Sequence, residues 1–260
     1  MRTVLTVLSP AKTLDYESRL PTRKFTLPRL TEGIGELVDV MATKTPQDLR
    51  SLMDISDELA QLNHERFQLF EPDFNRSNSR PAIVAFKGDV YQGMNVSEFG
   101  ERDFTYAQKH LRILSGLYGV LRPLDLIQPY RLEMGTALKT GRGKDLYEYW
   151  GTRITDCLNE DLARYRTKVL INLASKEYFM SVRTDELDAK VVSPVFRDFN
   201  RGEYRIISFF AKRARGEMAA WMIRNKVTSV KGLRSFNGMG YTYSPGLSTT
   251  NHPTFTRGAA

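Results

Sequence analysis

The spacing of apolar residues along the chain predicts a mixture of strands and helices. Continuous apolar runs rich in β-branched residues indicate buried strands at 3–8, 82–86 and 169–173. Apolar positions at helical spacing indicate helices around 30–41 and 146–162. This order predicts a mixed α/β (α+β) fold with a mixed sheet and flanking helices.

Local signals add boundaries to this pattern. Thr45 before Pro46 is typical of a helix N-cap, and Ser56 indicates a second helix start. Two β-rich runs between 190 and 210, separated by the glycine-containing segment 200–202, predict a hairpin. The helix after it carries Met218 and Met222, which we expect to face the core.

The chain has 260 residues, of which 41% are apolar, enough to bury a sizeable core. We therefore expect one domain spanning residues 1–260, with no linker and no internal repeat. The tail from about residue 244 is rich in Ser, Thr, Pro and Gly, a composition that predicts poor order.

Several classes of protein are excluded by what the sequence lacks. No apolar run approaches the roughly 20 residues of a membrane helix, and Cys157 is the single cysteine, so a cytoplasmic protein is expected. Cys157 lies on an apolar stripe and is expected in the core. The three histidines are scattered, which predicts no metal site, and the phosphate-loop, dinucleotide and nucleophile-elbow motifs are absent, which predicts no cofactor.

The charge distribution points to a polyanionic partner. Lys and Arg number 38 against 30 acidic residues, giving +8 and a pI near 9.5. Residues 201–234 hold nine basic and two acidic side chains, whereas residues 46–74 hold two basic and seven acidic ones. This asymmetry predicts an electropositive face, although a basic surface by itself is also typical of a solvated exterior.

Three lysines follow predicted strands, and the ends of strands are where ligand sites assemble. They are Lys12, Lys87 and Lys176. Either they converge on one site, or each marks the point where a strand leaves the core.

A second basic group lies near the predicted start of a helix and contains Lys212, Arg213 and Arg215. The helix dipole opposes positive charge there by about 0.3–1 kcal/mol per group, and a bound phosphate offsets that cost. The alternative is that these side chains extend into solvent, where the cost is small.

The stretch 105–131 has two readings. As a helix-hairpin-helix, its turn with Gly116, Tyr118 and Gly119 would present backbone N–H groups to phosphates. As a strand, the alternation of Leu111 and Ile113 fits equally well. In the first reading the charge comes from four side chains: Lys109, Arg112, Arg122 and Arg131.

Six segments together resemble the YaaA family of peroxide stress proteins. They cover nearly the whole chain in order, apart from the tail after about Tyr241, and are 9–14, 86–91, 114–134, 143–147, 171–175 and 209–216. The resemblance implies a compact mixed α/β body with a basic cleft, a helix-hairpin-helix at 115–125 and DNA binding without known sequence preference. It also implies a role in peroxide defence, linked to limiting free iron and to DNA repair, with no cofactor or established catalytic activity.

On the matching positions, the resemblance assigns Lys12, Lys87 and Lys176 to the cleft, and Lys144 lies within another matched segment. The resulting hypothesis is binding of duplex or branched DNA through phosphates, with Arg112, Arg122, Lys212 and Arg215 as leading contacts. The alternative is an enzyme acting on a nucleotide or nucleic-acid base, in a pocket lined by four side chains: Lys12, Lys87, Asp89 and Tyr91.

Overall fold

A computed structural model describes residues 4–258 of the chain. Its strands are β1 (Leu5–Leu8), β2 (Thr13–Leu14), β3 (Arg80–Pro81), β4 (Phe86–Lys87), β5 (Leu111–Ser115), β6 (Gly119–Leu121), β7 (Leu126–Ile127), β8 (Val169–Asn172), β9 (Lys190–Val192), β10 (Val195–Asn200), β11 (Glu203–Arg205), β12 (Thr242–Tyr243) and β13 (Thr254–Arg257). The mixed α/β class expected from the sequence is confirmed. Thr3, the first residue of the predicted strand 3–8, lies outside the described residues.

The helices alternate with these strands. They are α1 (Thr31–Ala42), α2 (Pro46–Met53), α3 (Asp57–Gln68), α4 (Ala82–Ala85), α5 (Asp89–Met94), α6 (Glu101–His110), α7 (Leu146–Trp150), α8 (Arg153–Leu162), α9 (Lys176–Phe179), α10 (Ser208–Arg224) and α11 (Val230–Leu233). Short 3₁₀ turns lie at Val96–Glu98, Gly238–Gly240 and Pro245–Leu247.

The central sheet has the strand order β6-β5-β1-β8-β9. β1 runs parallel to both β5 and β8, β8 runs parallel to β9, and β6 returns antiparallel along β5. The carboxyl ends of β1, β5, β8 and β9 therefore lie at one edge of the sheet, which we call the carboxyl edge. The opposite edge, which we call the amino edge, carries the amino ends of these strands and the carboxyl end of β6.

Both faces of the central sheet are covered by helices. Ala219 of α10 meets Thr6 around a small internal gap, so α10 lies on the Thr6 face. Arg112, the register partner of Val7, bonds to Asp161 of α8. Because neighbouring residues of a strand point to opposite faces, α8 covers the other face. Burial on both faces explains why β1 and β8 read as continuous apolar runs.

The helix start signals are confirmed. Thr45 accepts a hydrogen bond from Asp48 N, and the Asp48 carboxylate accepts one from Thr45 N, which forms a capping box at α2. Ser56 caps α3, because its hydroxyl oxygen accepts from Leu59 N. The helical pattern over 146–162 is divided into α7 and α8, because Gly151 has φ +53° and ends the first helix.

A second sheet, ordered β11-β10-β13-β12, contains the predicted hairpin as β10 and β11. The described part of the tail after residue 244 contains regular structure. β13 pairs parallel with β10, and Phe255 is fully buried against Phe196. A few well-placed apolar residues anchor this segment, although its overall composition is polar.

The strand predicted at 82–86 is confirmed only at Phe86, where β4 begins. Residues 82–85 form the helical turn α4, whose first N–H groups donate to the carbonyls of Asp125 and Pro123. Apolar content alone does not separate a short buried helix from a strand. The stretch 115–125 is not a helix-hairpin-helix, because β5 and β6 form a β-hairpin there.

The local structure explains why glycine occupies two positions of this hairpin. Gly119 has φ +66°, a conformation that favours glycine. A Cβ on Gly116 would collide with the carbonyl oxygen of Leu132. The glycine pattern therefore reflects a tight turn and a close backbone contact, and the strand reading of Leu111 and Ile113 is confirmed.

Candidate functional site

The carboxyl edge contains a topological switch point between β1 and β8. From β1 the chain proceeds to β5 on one side, and from β8 it proceeds to β9 on the other. The loops leaving two such strands diverge and open a crevice where ligands bind in α/β sheets. Ser9 and Ser175 face each other there, with the Ser175 N–H donating to Ser9 Oγ at 2.8 Å.

The segment carrying Lys87 joins this edge through the loop after β1. Thr13 and Lys87 are register partners in the small antiparallel pair of β2 and β4. Tyr91, one turn further on, donates its hydroxyl hydrogen to the carbonyl oxygen of Ser9 at 3.1 Å. The loops that carry Lys12, Lys87 and Lys176 are therefore neighbours, and all three lysine side chains are exposed.

Glu133 partly neutralises the carboxyl edge. Its carboxylate accepts from Lys12 Nζ at 2.6 Å and from Arg131 Nη2 at 3.1 Å. Lys12 is 60% exposed, so this pair contributes little to stability and opens easily when another anion competes for the lysine.

Buried hydroxyls form the floor beneath these charges. Ser115, at the end of β5, shares a 2.6 Å hydrogen bond with Tyr130. Burial raises the pKa of Tyr130 and of the neighbouring Tyr91 and Tyr178 above the usual tyrosine value. These phenols are therefore neutral at physiological pH and act as hydrogen-bonding groups rather than charges.

The amino-terminal half of α10 packs directly onto α5. Gly93 and Gly216 leave no room for a Cβ, which would meet the carbonyl oxygens of Arg213 and Val90 respectively. This close approach lets Arg213 donate to Gln92 Oε1 at 3.0 Å. The basic group on α10 is thus joined to the segment that follows Lys87.

Lys144 lies on the same side of the molecule. Tyr147, one turn later on α7, donates to the carbonyl oxygen of Glu177 at 3.0 Å, which places α7 beside α9. Lys144 forms an ion pair with Glu148 at 3.0 Å and is 77% exposed. Arg215 lies in a cavity at this edge together with Lys176.

Other residues predicted for DNA contact lie at the amino edge. Lys109 lies in the last turn of α6, just before β5, and its carbonyl oxygen accepts from the Tyr165 hydroxyl. Arg122 follows β6 and pairs with Asp125 at 2.9 Å. The structure therefore does not bring Lys109 and Arg122 together with Lys12.

Four predicted contact residues are buried and do not reach a ligand on the surface. Arg112 is 2% exposed and forms an ion pair with Asp161 at 2.6 Å, so its charge is neutralised inside the fold. Tyr118 is fully buried, and Gly116 and Gly119 are buried in the β-hairpin. Their assignment to DNA contact is corrected here, because it depended on a helix-hairpin-helix that the chain does not form.

The enclosed catalytic pocket weighed from the sequence is not assembled. Tyr91 lines a cavity of about 490 Å³ whose lining includes none of Lys12, Lys87 and Asp89. Tyr91 is itself committed to Ser9, whereas the two lysines face solvent. This arrangement favours a ligand bound along an open edge.

Sequence reasoning missed the serines of the carboxyl edge. Ser9 and Ser175 each follow a run recognised as a buried strand, and that position is the signal that identifies them. Ser115 had no such signal, because the end of β5 lay inside the presumed helix-hairpin-helix, and Tyr130 lies outside any strand. Cys157 is buried in the core as expected.

The described residues contain neither a metal-binding cluster nor a membrane-spanning helix. Across residues 4–258, no three His, Cys, Asp or Glu side chains are grouped so as to hold a metal ion. Within the same range, no helix has the length and apolar character needed to cross a bilayer.

Comparison with known proteins connects the chain to one family. Residues 4–247 match the family model described as peroxide stress protein YaaA. A relative from Saccharophagus degradans, named UPF0246 protein, is 50% identical over 254 residues, covering 98% of this chain and 99% of the relative. The match includes every segment of the carboxyl edge.

Proposed function

The chain belongs to the YaaA family of peroxide stress proteins, and we propose that it binds duplex or branched DNA through phosphate contacts at the carboxyl edge. The observation that carries this proposal is the gathering of exposed lysines from separate parts of the sequence around one switch point. The proposed contact residues are Lys12, Lys87, Lys144, Lys176, Lys212 and Arg213.

Exposed positive charges on flexible lysine side chains favour the binding of a polyanion. Exposed lysines neutralise phosphates by releasing condensed counterions, which gives affinity without reading sequence. The Glu133 carboxylate that holds Lys12 and Arg131 is a weak competitor for a polyanion, because its ion pair with Lys12 is solvent-exposed. Binding along this edge is therefore expected to depend strongly on salt.

In the cell, this binding supports DNA protection or repair during peroxide stress in the cytoplasm. A link to limiting free iron is implied by the family resemblance. The protein is proposed to act by binding DNA, with the positive charges of its carboxyl edge contacting the phosphates of the DNA backbone.

The test compares the two edges of the central sheet by fluorescence anisotropy with duplex, junction and single-stranded DNA at several salt concentrations. The variant K87A/K212A removes two exposed charges from the carboxyl side. We expect weaker binding to all substrates and a salt slope reduced by about 1 for each lost contact.

The matched control is K109A/R164A, which removes the same net charge from exposed positions at the amino edge. We expect its affinity to remain close to that of the unmodified protein. Equal weakening by both double variants would show that the loss of affinity follows from net charge alone. It would reject the carboxyl edge as the binding surface. Absence of binding at low salt would reject DNA binding altogether.

A further inference from the structure

A cavity of about 570 Å³ opens where β8 and β9 end, and Lys176 of the carboxyl edge is part of its lining. Asn172 and Ser193 line it from the ends of these strands, and Arg215 lines it from α10. Lys176 and Arg183 contribute two more positive charges, against one negative charge from Asp185. The cavity is therefore electropositive.

Arg215 is half-buried and has no acidic partner. The two buried arginines of the described residues are both paired, Arg80 with Asp15 and Arg112 with Asp161. Arg215 makes no ion pair within the described residues, and burial lowers the pKa of its guanidinium. A partly desolvated cation without a partner is costly, and a bound anion offsets this cost.

The lining of the cavity also has an apolar part. Phe179, the last residue of α9, and Met180 directly after it line the same space as Lys176, and Met180 is 56% exposed. An aromatic ring and a polarizable thioether are suited to contact with a flat heterocycle. Anion-binding and base-stacking groups are thus present in one concave site.

Uncharged polar groups of the lining add directional contacts. The Asn172 side-chain amide donates to Ser193 Oγ at 3.3 Å, and its oxygen accepts from Ala174 N at 2.9 Å. These bonds hold the Ser193 hydroxyl in the lining of the cavity. The volume of about 570 Å³ is within the range of small-molecule sites.

We infer that this cavity binds a single nucleotide unit, with its phosphate at Arg215 and Lys176 and its base against Phe179 and Met180. The unit is either a free nucleoside 5′-monophosphate or the 5′-phosphorylated end of a single strand. Lys176 belongs both to this site and to the duplex-binding edge, whereas Arg215, Phe179 and Met180 belong to the cavity alone. Nucleotide binding therefore does not depend on Lys87 or Lys212.

The experiment is isothermal titration of the full chain with deoxyadenosine 5′-monophosphate, deoxyadenosine and inorganic phosphate. We expect one nucleotide per chain and at least tenfold weaker binding of the nucleoside. Binding of inorganic phosphate as tight as that of the nucleotide would overturn the placement of the base against Phe179 and Met180. No binding of the nucleotide at millimolar concentration would overturn the site itself.

Variants test the charged and the apolar contacts of the cavity separately. R215Q and K176Q are expected to weaken nucleotide binding at least tenfold, and F179A severalfold. R166Q removes a charge from an exposed arginine outside the cavity lining and should bind normally. Thermal melting checks the fold of R215Q, and K176Q keeps the test valid if R215Q is unstable, because Lys176 is exposed. Equal affinity of K176Q and R166Q would contradict the proposal.

Two further titrations identify the source of the ligand and separate this inference from duplex binding. A 5′-phosphorylated single strand that competes better than its 5′-hydroxyl counterpart would indicate a strand end, whereas equal competition would indicate a free nucleotide. K87A/K212A should retain nucleotide binding even if it loses duplex binding.

Discussion

The Ser9 hydroxyl joins the ends of two parallel strands, because its oxygen accepts from the Ser175 N–H at 2.8 Å while its hydrogen points to Ser175 Oγ at 3.3 Å. These residues are separated by 166 positions in the sequence. Their contact closes the floor of the switch point and positions Lys12 and Lys176 on either side of it.

Removing this link is expected to destabilise the protein. S9A leaves the partly buried Ser175 N–H without its acceptor, which costs about 1–2 kcal/mol in the free energy of unfolding. Urea denaturation measures this change. S51A is the control, since Ser51 is exposed on α2 and Ala is a good helix former. Equal stability of S9A and S51A would contradict a structural role for the hydroxyl.

Asp161 is expected to be a stability residue. It accepts from Arg112 Nε at 2.6 Å and from Arg29 Nη2 at 3.0 Å, and Arg112 has almost no exposure. D161N leaves a buried cation without its partner and should lower the free energy of unfolding by about 3–5 kcal/mol.

The control for D161N is D57N, because Asp57 is 75% exposed and pairs with Arg50 at 3.2 Å. Its effect should stay below about 1 kcal/mol. Denaturation of both variants in parallel gives the comparison. A small effect of D161N, together with loss of DNA binding, would restore Arg112 as a candidate contact.

The junction of α5 and α10 is expected to tolerate no side chain at Gly216. A Cβ there collides with the backbone oxygen of Val90. This oxygen belongs to the backbone of α5, so it cannot move aside as the end of a flexible side chain could. G216A should therefore separate the two helices and destabilise the fold by several kcal/mol, on the order of the larger overpacking effects. Thermal melting and proteolysis report the loss.

Gly35 provides the matched control. It lies within α1, and a Cβ built there meets nothing within 4 Å. G35A should stabilise the protein by about 0.5–1 kcal/mol, because Ala is the better helix former. A stable, normally melting G216A would show that the helices can separate at little cost.

His110 is expected to make stability depend on pH. Burial, with repulsion from Arg112 and Lys109, lowers the pKa of His110 to about 4. The unfolded chain, with a histidine pKa near 6.5, binds more protons in this interval, so the free energy of unfolding falls as pH drops from about 6.5 to about 4. The loss should be about 1–2 kcal/mol after allowance for solvent screening.

Denaturation at pH 7 and at pH 4.5 measures this dependence, and H110N removes it. The ring lies between Tyr106 and Tyr165, with centroid distances of 4.1 and 5.6 Å, so Asn preserves a polar group without a titrating charge. An NMR titration of the His110 ring that gives a pKa near 6.5 would contradict the prediction.

The sequence predicted features that depend on neighbouring residues. The capping of α2 by Thr45, the strand 169–172 and the burial of Cys157 follow from local chemistry and spacing. Motif resemblance predicted the family, because long matched segments are far more specific than a short pattern. The helix-hairpin-helix failed because Gly116 and Gly119 meet requirements set by Leu132 and by a tight β-turn, and neither is visible locally.

The arrangement of charge was decided by tertiary structure. By itself, the sequence determined that the protein is a mixed α/β member of a peroxide stress family with excess basic residues after 200. Strand order then placed Lys12, Lys87 and Lys176 at one edge, placed Lys109 at the other and buried Arg112. Parallel pairing of distant strands determines which loops meet, and no local pattern encodes that order.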